Sequence, residues 1–155
     1  MLFFNIDTFV NPPTSHIDLN PNVLEIFVLL MKAQARECIL DKLQLSDTSI
    51  KDMITEASLL TIEYEKIYEK IHQDIQCNSQ YSFPECWLGI IPLKSEYFRA
   101  LGHLYMAKSM TKSMEDNGTK RHLNLKLALN CHEEILRLQR MCRELRVCYL
   151  FLFCR

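Results

Sequence analysis

The sequence predicts an all-α fold, an antiparallel array of helical hairpins. Three observations carry that prediction. Only three glycines and five prolines occur in 155 residues, which leaves little material for the turns of an all-β fold or for a phosphate-cradling loop. Apolar residues recur at three- and four-residue steps over four long windows. Short polar breaks, rather than long linkers, separate those windows. At 18.3 kDa, with 48% hydrophobic and 24% charged residues, the chain is one domain's worth of material and can bury a substantial core.

The first window opens at Asn20-Pro21, with Asn as N-cap and Pro at the first helical position, where its missing N–H costs nothing. Behind it Leu24, Phe27, Val28, Met31, Ala35, Cys38 and Ile39 form one apolar stripe, predicted to be the buried side of a helix running to about Leu45. Upstream, Pro12, Pro13, Thr14, Ser15 and Asp18 mark residues 11–20 as an extended linker. Residues 1–4 are apolar but lack the basic start of a secretory signal and meet Asn5 and Asp7 at once.

Ser46-Asp47-Thr48-Ser49 breaks the pattern, and Ser49 with Asp52 three residues later has the form of a capping box. The second stripe follows through Ile50, Met53, Ile54, Ala57, Leu60, Tyr64, Ile67, Tyr68, Ile71 and Ile75. Between its later members stand Glu63, Glu65, Lys66, Glu69 and Lys70, a pattern expected of a solvated helix face on which Glu63 and Lys66 can pair.

A polar break at 77–82 precedes Pro84, which opens a third helix with the stripe Trp87, Ile90, Ile91, Lys94 (by its stem), Tyr97, Phe98, Leu101, Leu104 and Tyr105. Pro92 lies inside it, so a kink near Leu88 or a late start is expected. Glu115-Asp116-Asn117-Gly118 reads as a turn. A fourth helix is predicted from about Thr119 to Val147, with Leu123, Leu127, Ile135, Leu138, Met141, Cys142 and Leu145 on its apolar side. Residues 147–154 are then apolar without a break. That is far short of the about 20 residues a membrane span needs, and we treat 1–147 as the helical domain and 148–155 as an apolar tail.

Charge and chemistry narrow the function. Eighteen Lys+Arg against nineteen Asp+Glu give a net charge of -1, which argues against nucleic-acid binding by counterion release and against electrostatic attachment to an anionic membrane. Seven cysteines at irregular spacing, with no CxxC, fit free thiols in a reducing compartment, the cytoplasm, better than a disulfide framework or a zinc site. His132-Glu133-Glu134 has no second His at the HExxH position, and no GxSxG, P-loop or GxGxxG occurs. His103 is expected to be a packing histidine with a satisfied ring, since no acid or nucleophile converges on it at helical spacing. A nucleophile pair of Cys131 with a distant His has nothing in the sequence to favour it. Met31, Met53, Met106 and Met110 are expected to fill core gaps. No enzyme, metal or cofactor is implied.

Two stretches carry a resemblance. Leu29-Leu30-Met31-Lys32-Ala33-Gln34-Ala35-Arg36-Glu37-Cys38 resembles the LMxAQAQEC helix of BRO domains, the helical domain shared by Alix and the rhophilins. Trp87 followed by Leu93-Lys94-Ser95-Glu96-Tyr97-Phe98-Arg99-Ala100-Leu101-Gly102-His103 resembles the W…VKAxxYxALAH helix of the same domains. Cys131-His132-Glu133-Glu134-Ile135-Leu136-Arg137-Leu138 with Cys142-Arg143-Glu144-Leu145-Arg146 is most similar to the rhophilin version, as is Pro13-Thr14-Ser15 ahead of Asp18-Leu19. The resemblance covers about residues 4–146 and implies a partial, TPR-like BRO domain that begins inside the expected boundaries and is shortened around 111–120.

What the resemblance implies is a non-enzymatic adaptor or scaffold with protein partners. Two are suggested: a Rho GTPase, in the context of a longer rhophilin-like protein, and the amphipathic C-terminal helix of an ESCRT-III subunit, taken in a helix-in-groove mode. The second would add endosomes to the expected location. Partner contacts in Alix-like members fall just after the AQAQE motif and on the next helix, which here points to Ile39 and to Ala57 and Thr61. In the motifs themselves, Ala33 and Ala35 are expected to let a neighbouring helix approach, and Trp87 to anchor the third helix against the first. A self-associating helical fragment is the alternative reading.

Overall fold

The computed structural model describes residues 21–46, 49–77, 85–110 and 117–141. They form four helices: α1 (Pro21–Leu45), α2 (Ile50–Cys77), α3 (Glu85–Ser109) and α4 (Asn117–Met141). No strand occurs among the described residues. The linker 11–20, the polar break at 78–82 and the apolar run 147–154 lie outside them, as does the predicted end of the fourth helix beyond Met141.

Helices adjacent in sequence pack against each other, α1 on α2, α2 on α3 and α3 on α4. Side-chain pairs give their directions. Asn22 and Glu25 at the start of α1 meet Asp74 and Lys70 near the end of α2, while Arg36 further along meets Glu63 and Glu56. That pairing is antiparallel. Phe27 meets Trp87, Glu37 meets Lys94 and Gln44 meets Tyr105, so α1 and α3 run parallel, side by side across α2. His103 on α3 faces Asn124 on α4, and the thiol of Cys131 interacts with Glu96, again antiparallel. The array of hairpins predicted from periodicity is the observed architecture.

The local signals act largely as predicted. Pro21 opens α1. The Ser49 hydroxyl accepts a hydrogen bond from the Lys51 N–H at 3.3 Å, and its carbonyl takes the Asp52 N–H at 3.0 Å, so Ser49 caps α2. α3 starts at Glu85, directly after Pro84 as predicted, and continues through Pro92, so the alternative of a late start does not hold; the proline is the eighth helical residue and leaves the Leu88 carbonyl without its N–H. One boundary differs. Asn117 and Gly118 belong to the first turn of α4 instead of a turn before it. Gly118 has no positive φ, so nothing in its backbone opposes the helix.

The core joins three helices. Ile26, Leu30, Ala33 and Leu40 of α1, Ala57, Leu60, Tyr64, Ile67 and Ile71 of α2, and Trp87, Ile91, Phe98 and Tyr105 of α3 form one buried cluster. The α2 stripe read from the sequence is the buried one. Trp87 is buried edge-on against Phe27, with ring centroids 5.4 Å apart, and so anchors α3 to α1 as expected. α4 is more lightly held, with Cys131 and Ile135 as its buried apolar residues.

α1 is where the sequence expectation fails. Its buried residues are Ile26, Leu30, Ala33 and Leu40, whereas Leu24 (43% exposed), Val28 (51%), Met31 (52%) and Ile39 (49%) face solvent, with Ala35 and Cys38 also exposed. Ala33 makes the close helix approach; Ala35 does not. Met31 fills no core gap. Apart from Phe27, which packs inward on Trp87, the predicted stripe is the outer face of the helix. On α3, Tyr97 and Leu104 are likewise exposed, and Lys94 is buried with its ammonium as well as its stem.

Candidate interaction surface

The outer stripe of α1 follows a heptad. Leu24, Met31, Cys38 and Leu45 recur every seventh residue, with Val28 and Ala35 four residues after the first two, and all are exposed. Opposite them Ile26, Ala33 and Leu40 recur at the same interval, and all are buried. The helix therefore has two apolar faces on opposite sides. The outer one, from Leu24 to Ile39, is about 22 Å long at about 1.5 Å rise per residue. It is bordered by charges of both signs, Lys32, Asp41 and Lys42. Contiguous apolar exposure of this kind on a helix is the form that receives another helix.

Ile39, predicted as a partner contact, lies on this stripe. Ala57 and Thr61 do not join it. Ala57 is fully buried against α3, where a Cβ built on Gly102 would meet its Cβ at 3.7 Å, and Thr61 is buried with its hydroxyl donating to the Ala57 carbonyl at 2.9 Å. The Thr61 carbonyl accepts from the Ser95 hydroxyl at 3.4 Å. Both residues are engaged between α2 and α3, so a partner on the α1 stripe does not reach them in this arrangement.

Behind the stripe, the AQAREC motif turns inward. Arg36 bridges to α2, with Nη1 donating to Glu56 at 2.8 Å and Nε donating to Glu63 at 3.0 Å. Glu37 accepts at a single oxygen, Oε1, from the Lys94 ammonium at 2.5 Å and from the Tyr64 hydroxyl. Lys94 also stands 3.3 Å from the Tyr64 oxygen and 5.4 Å from the centre of its ring. Burial, and then the charge of Glu37, raise the Tyr64 pKa far above its ordinary value, so the phenol stays protonated and donates. The two motifs that carry the resemblance thus meet at one buried polar tie across α2. Gln34 is the weak member: its Nε2 is buried with no hydrogen-bond partner among the described residues.

Three of the five charges between the later members of the α2 stripe prove to be ties between helices, while Lys66 and Glu69 are exposed as expected of a solvated face. Glu63 pairs with Arg36 of α1, Glu65 with Arg99 of α3, and Lys70 with Glu25 of α1. Only the pairing pattern across helices could have shown this, and the one-helix pattern does not contain it.

Elsewhere the geometry is that of packing. His103 Nδ1 lies 3.0 Å from Asn124 Oδ1, a satisfied interhelical contact. Cys131 is buried, and its thiol pKa is pushed up to about 11, first by burial and then by Glu96. At neutral pH it is a thiol, not a nucleophilic thiolate. No group of three or more His, Cys, Asp or Glu among the described residues is placed to hold a metal. No described helix is long and apolar enough to cross a membrane.

Comparison with known proteins gives the chain a family. A relative described as rhophilin-2, from Homo sapiens, is 25% identical over 103 residues, which is 65% of this chain and 15% of the relative's length. The matched stretch is therefore a small part of that protein. No solved structure matches. The BRO1-like domain profile matches residues 1–148, nearly the whole chain and all four helices described above, and the chain belongs to the BRO1-like domain family.

Proposed function

We propose that the chain is a protein-interaction module of a rhophilin-like adaptor in cytoplasmic Rho GTPase signalling, and that it docks a partner's amphipathic helix along the outer face of α1. One observation carries the docking reading: Leu24, Val28, Met31 and Ile39 are each 43–52% exposed on a single face of a helix that is otherwise firmly packed. A partner helix with its own heptad of apolar residues would bury this stripe as a second α1 neighbour, opposite α2. The family supports protein binding, and the rhophilin relative supports the signalling context.

The mixed border charges and the net charge of -1 give little long-range steering, so affinity would come from apolar burial and depend weakly on salt. The position of Ile39 favours an ESCRT-III C-terminal helix as the alternative partner, with an endosomal location. Titrating the chain with GTP-loaded Rho and, separately, with an ESCRT-III helix peptide distinguishes the two. Val28→Lys/Met31→Lys should abolish binding of a helical partner while leaving the fold intact. Unchanged binding by that variant would move the site away from α1.

A further inference from the structure

We infer that the outer stripe of α1 also pairs with itself: two copies of this chain meet antiparallel along it, in a weak dimer whose two-fold axis passes midway between Met31 and Ala35. The inference rests on reading that stripe as a docking face, but on no foreign partner.

The stripe has the spacing of a two-helix seam. Leu24, Val28, Met31, Ala35, Cys38 and Lys42 follow one another at alternating steps of four and three residues, and all are exposed. Their sizes are unevenly placed. The bulky Leu24, Val28 and Met31 stand in the first half, and the small Ala35 and Cys38 in the second. Such a stripe fits its own reverse, as an isologous interface requires. With Met31 set against Ala35 of the second copy, Val28 falls against Cys38, and Leu24 against the stem of Lys42. Every layer then joins a large group to a small or flexible one. The other pairings pack worse. A parallel dimer in register stacks Met31 on Met31 and leaves a gap where Ala35 and Cys38 face their own copies. Sliding the antiparallel pair by one heptad sets Val28 against Met31, or Ala35 against Cys38.

Charge agrees at the ends of this seam and opposes it only at the centre. Lys42 comes within reach of Glu25 of the second copy, whose side chain is 57% exposed beside Lys70. Lys32 flanks the axis and meets its own counterpart, with both in solvent, where like charges cost little. The core contacts of α1 lie on its other side and leave the seam open. From Leu24 to Lys42 the seam is about 27 Å long and about 10 Å wide. That is well under the about 800 Å² per partner of a standard interface. The dimer is therefore weak and concentration-dependent, and a longer partner helix displaces it.

Sedimentation equilibrium of the full chain in reducing buffer, over a wide concentration range, tests the pairing. The wild type should show a reversible monomer–dimer equilibrium. Ala35→Leu adds apolar surface yet crowds Met31 of the second copy, and should raise the dimer dissociation constant by about tenfold or more. Met31→Ala/Ala35→Leu swaps the sizes and should return it to within about threefold of wild type. Both positions are exposed, so the helical signal should not change. Val28→Cys reads the register independently. Mild oxidation should link the thiol introduced at position 28 to Cys38 of the second copy, a pair about 15 Å apart along one helix and so unable to join within a chain. A strict monomer at every concentration would overturn the inference. So would a tighter dimer in Ala35→Leu, or links between the two Cys38 thiols in place of the crossed pair. A failed titration with Rho or with the ESCRT-III peptide leaves all of these readings unaffected.

Discussion

At the scale of single residues, the polar tie and the thiols separate most clearly from their sequence appearance. Lys94 reads as a stem lying along an apolar stripe, yet its ammonium is buried on Glu37. Replacing Lys94 by Met alone leaves the Glu37 carboxylate facing a closed interior. Because that side chain keeps 21% exposure, the loss should fall near the low end for a broken buried pair, about 3 kcal/mol by urea denaturation. Removing both partners together should be close to neutral. Cys131 and Cys38 should differ in reactivity: Cys38 alkylates at neutral pH, while Cys131 is protected by burial and by its raised pKa. The sign of the Cys131 effect on stability follows. The folded state holds the thiol proton more tightly than the unfolded chain, so its contribution is fully present below about 9 and is lost as pH rises through about 11. A denaturation series across that window should show stability falling, and the fall should be smaller in Cys131→Ala, the remainder coming from Tyr64, Tyr97 and Tyr105, whose pKa values burial also raises.

Among the elements, α2 was legible from its sequence and α1 was not. Most α2 apolar positions form one stripe, with Leu59 and Ile62 alone exposed among charged positions on the other side, and the predicted stripe from Ile50 to Ile75 is the one that packs. α1 carries apolar residues on both sides, and periodicity reports their spacing without saying which side meets the core. The partners of its inner face lie on other helices, Trp87 against Phe27 and Lys94 against Glu37 among them. Ala57 and Thr61 are buried for a related reason: small side chains on α2 serve the approach of α3, here at Gly102. Ile39 stands on the outer stripe. Two substitutions separate the faces of α1. Leu30→Ala should cost about 2–5 kcal/mol, as a buried leucine does, whereas Val28→Lys should change stability by less than about 0.5 kcal/mol. Thermal melts of the two variants check this. Gly118 adds a simpler case. It is exposed in the first turn of α4, with no positive φ and nothing within 4 Å of a built Cβ, so Gly118→Ala should stabilise by about 0.5 kcal/mol.

Among the described residues, the array concentrates its cohesion in α1, α2 and α3, which share one buried cluster, and leaves α4 attached along α3. Leu123, Leu125, Leu129 and Met141 of α4 are 40–71% exposed, so its opening removes little apolar contact. Native-state hydrogen exchange should show α4 amides exchanging through local opening well before those of α2, whose protection should approach the global stability. The fold class was legible because helical periodicity and short connections are properties of the chain itself. The arrangement of α1 and α3 on the same side of α2 was not, because it depends on pairs such as Phe27 with Trp87 and Gln44 with Tyr105, about 60 residues apart in sequence.

The central claim is that α1 turns Ile26, Leu30, Ala33 and Leu40 inward and presents Leu24, Val28, Met31 and Ala35 to a partner. Single-cysteine scanning along α1 tests it directly, with each of those eight positions replaced by Cys in turn and its alkylation rate measured in the folded chain. Rapid labelling is expected at 24, 28, 31 and 35 and protection at 26, 30, 33 and 40. The opposite pattern would contradict it, and would place the docking stripe inside the core.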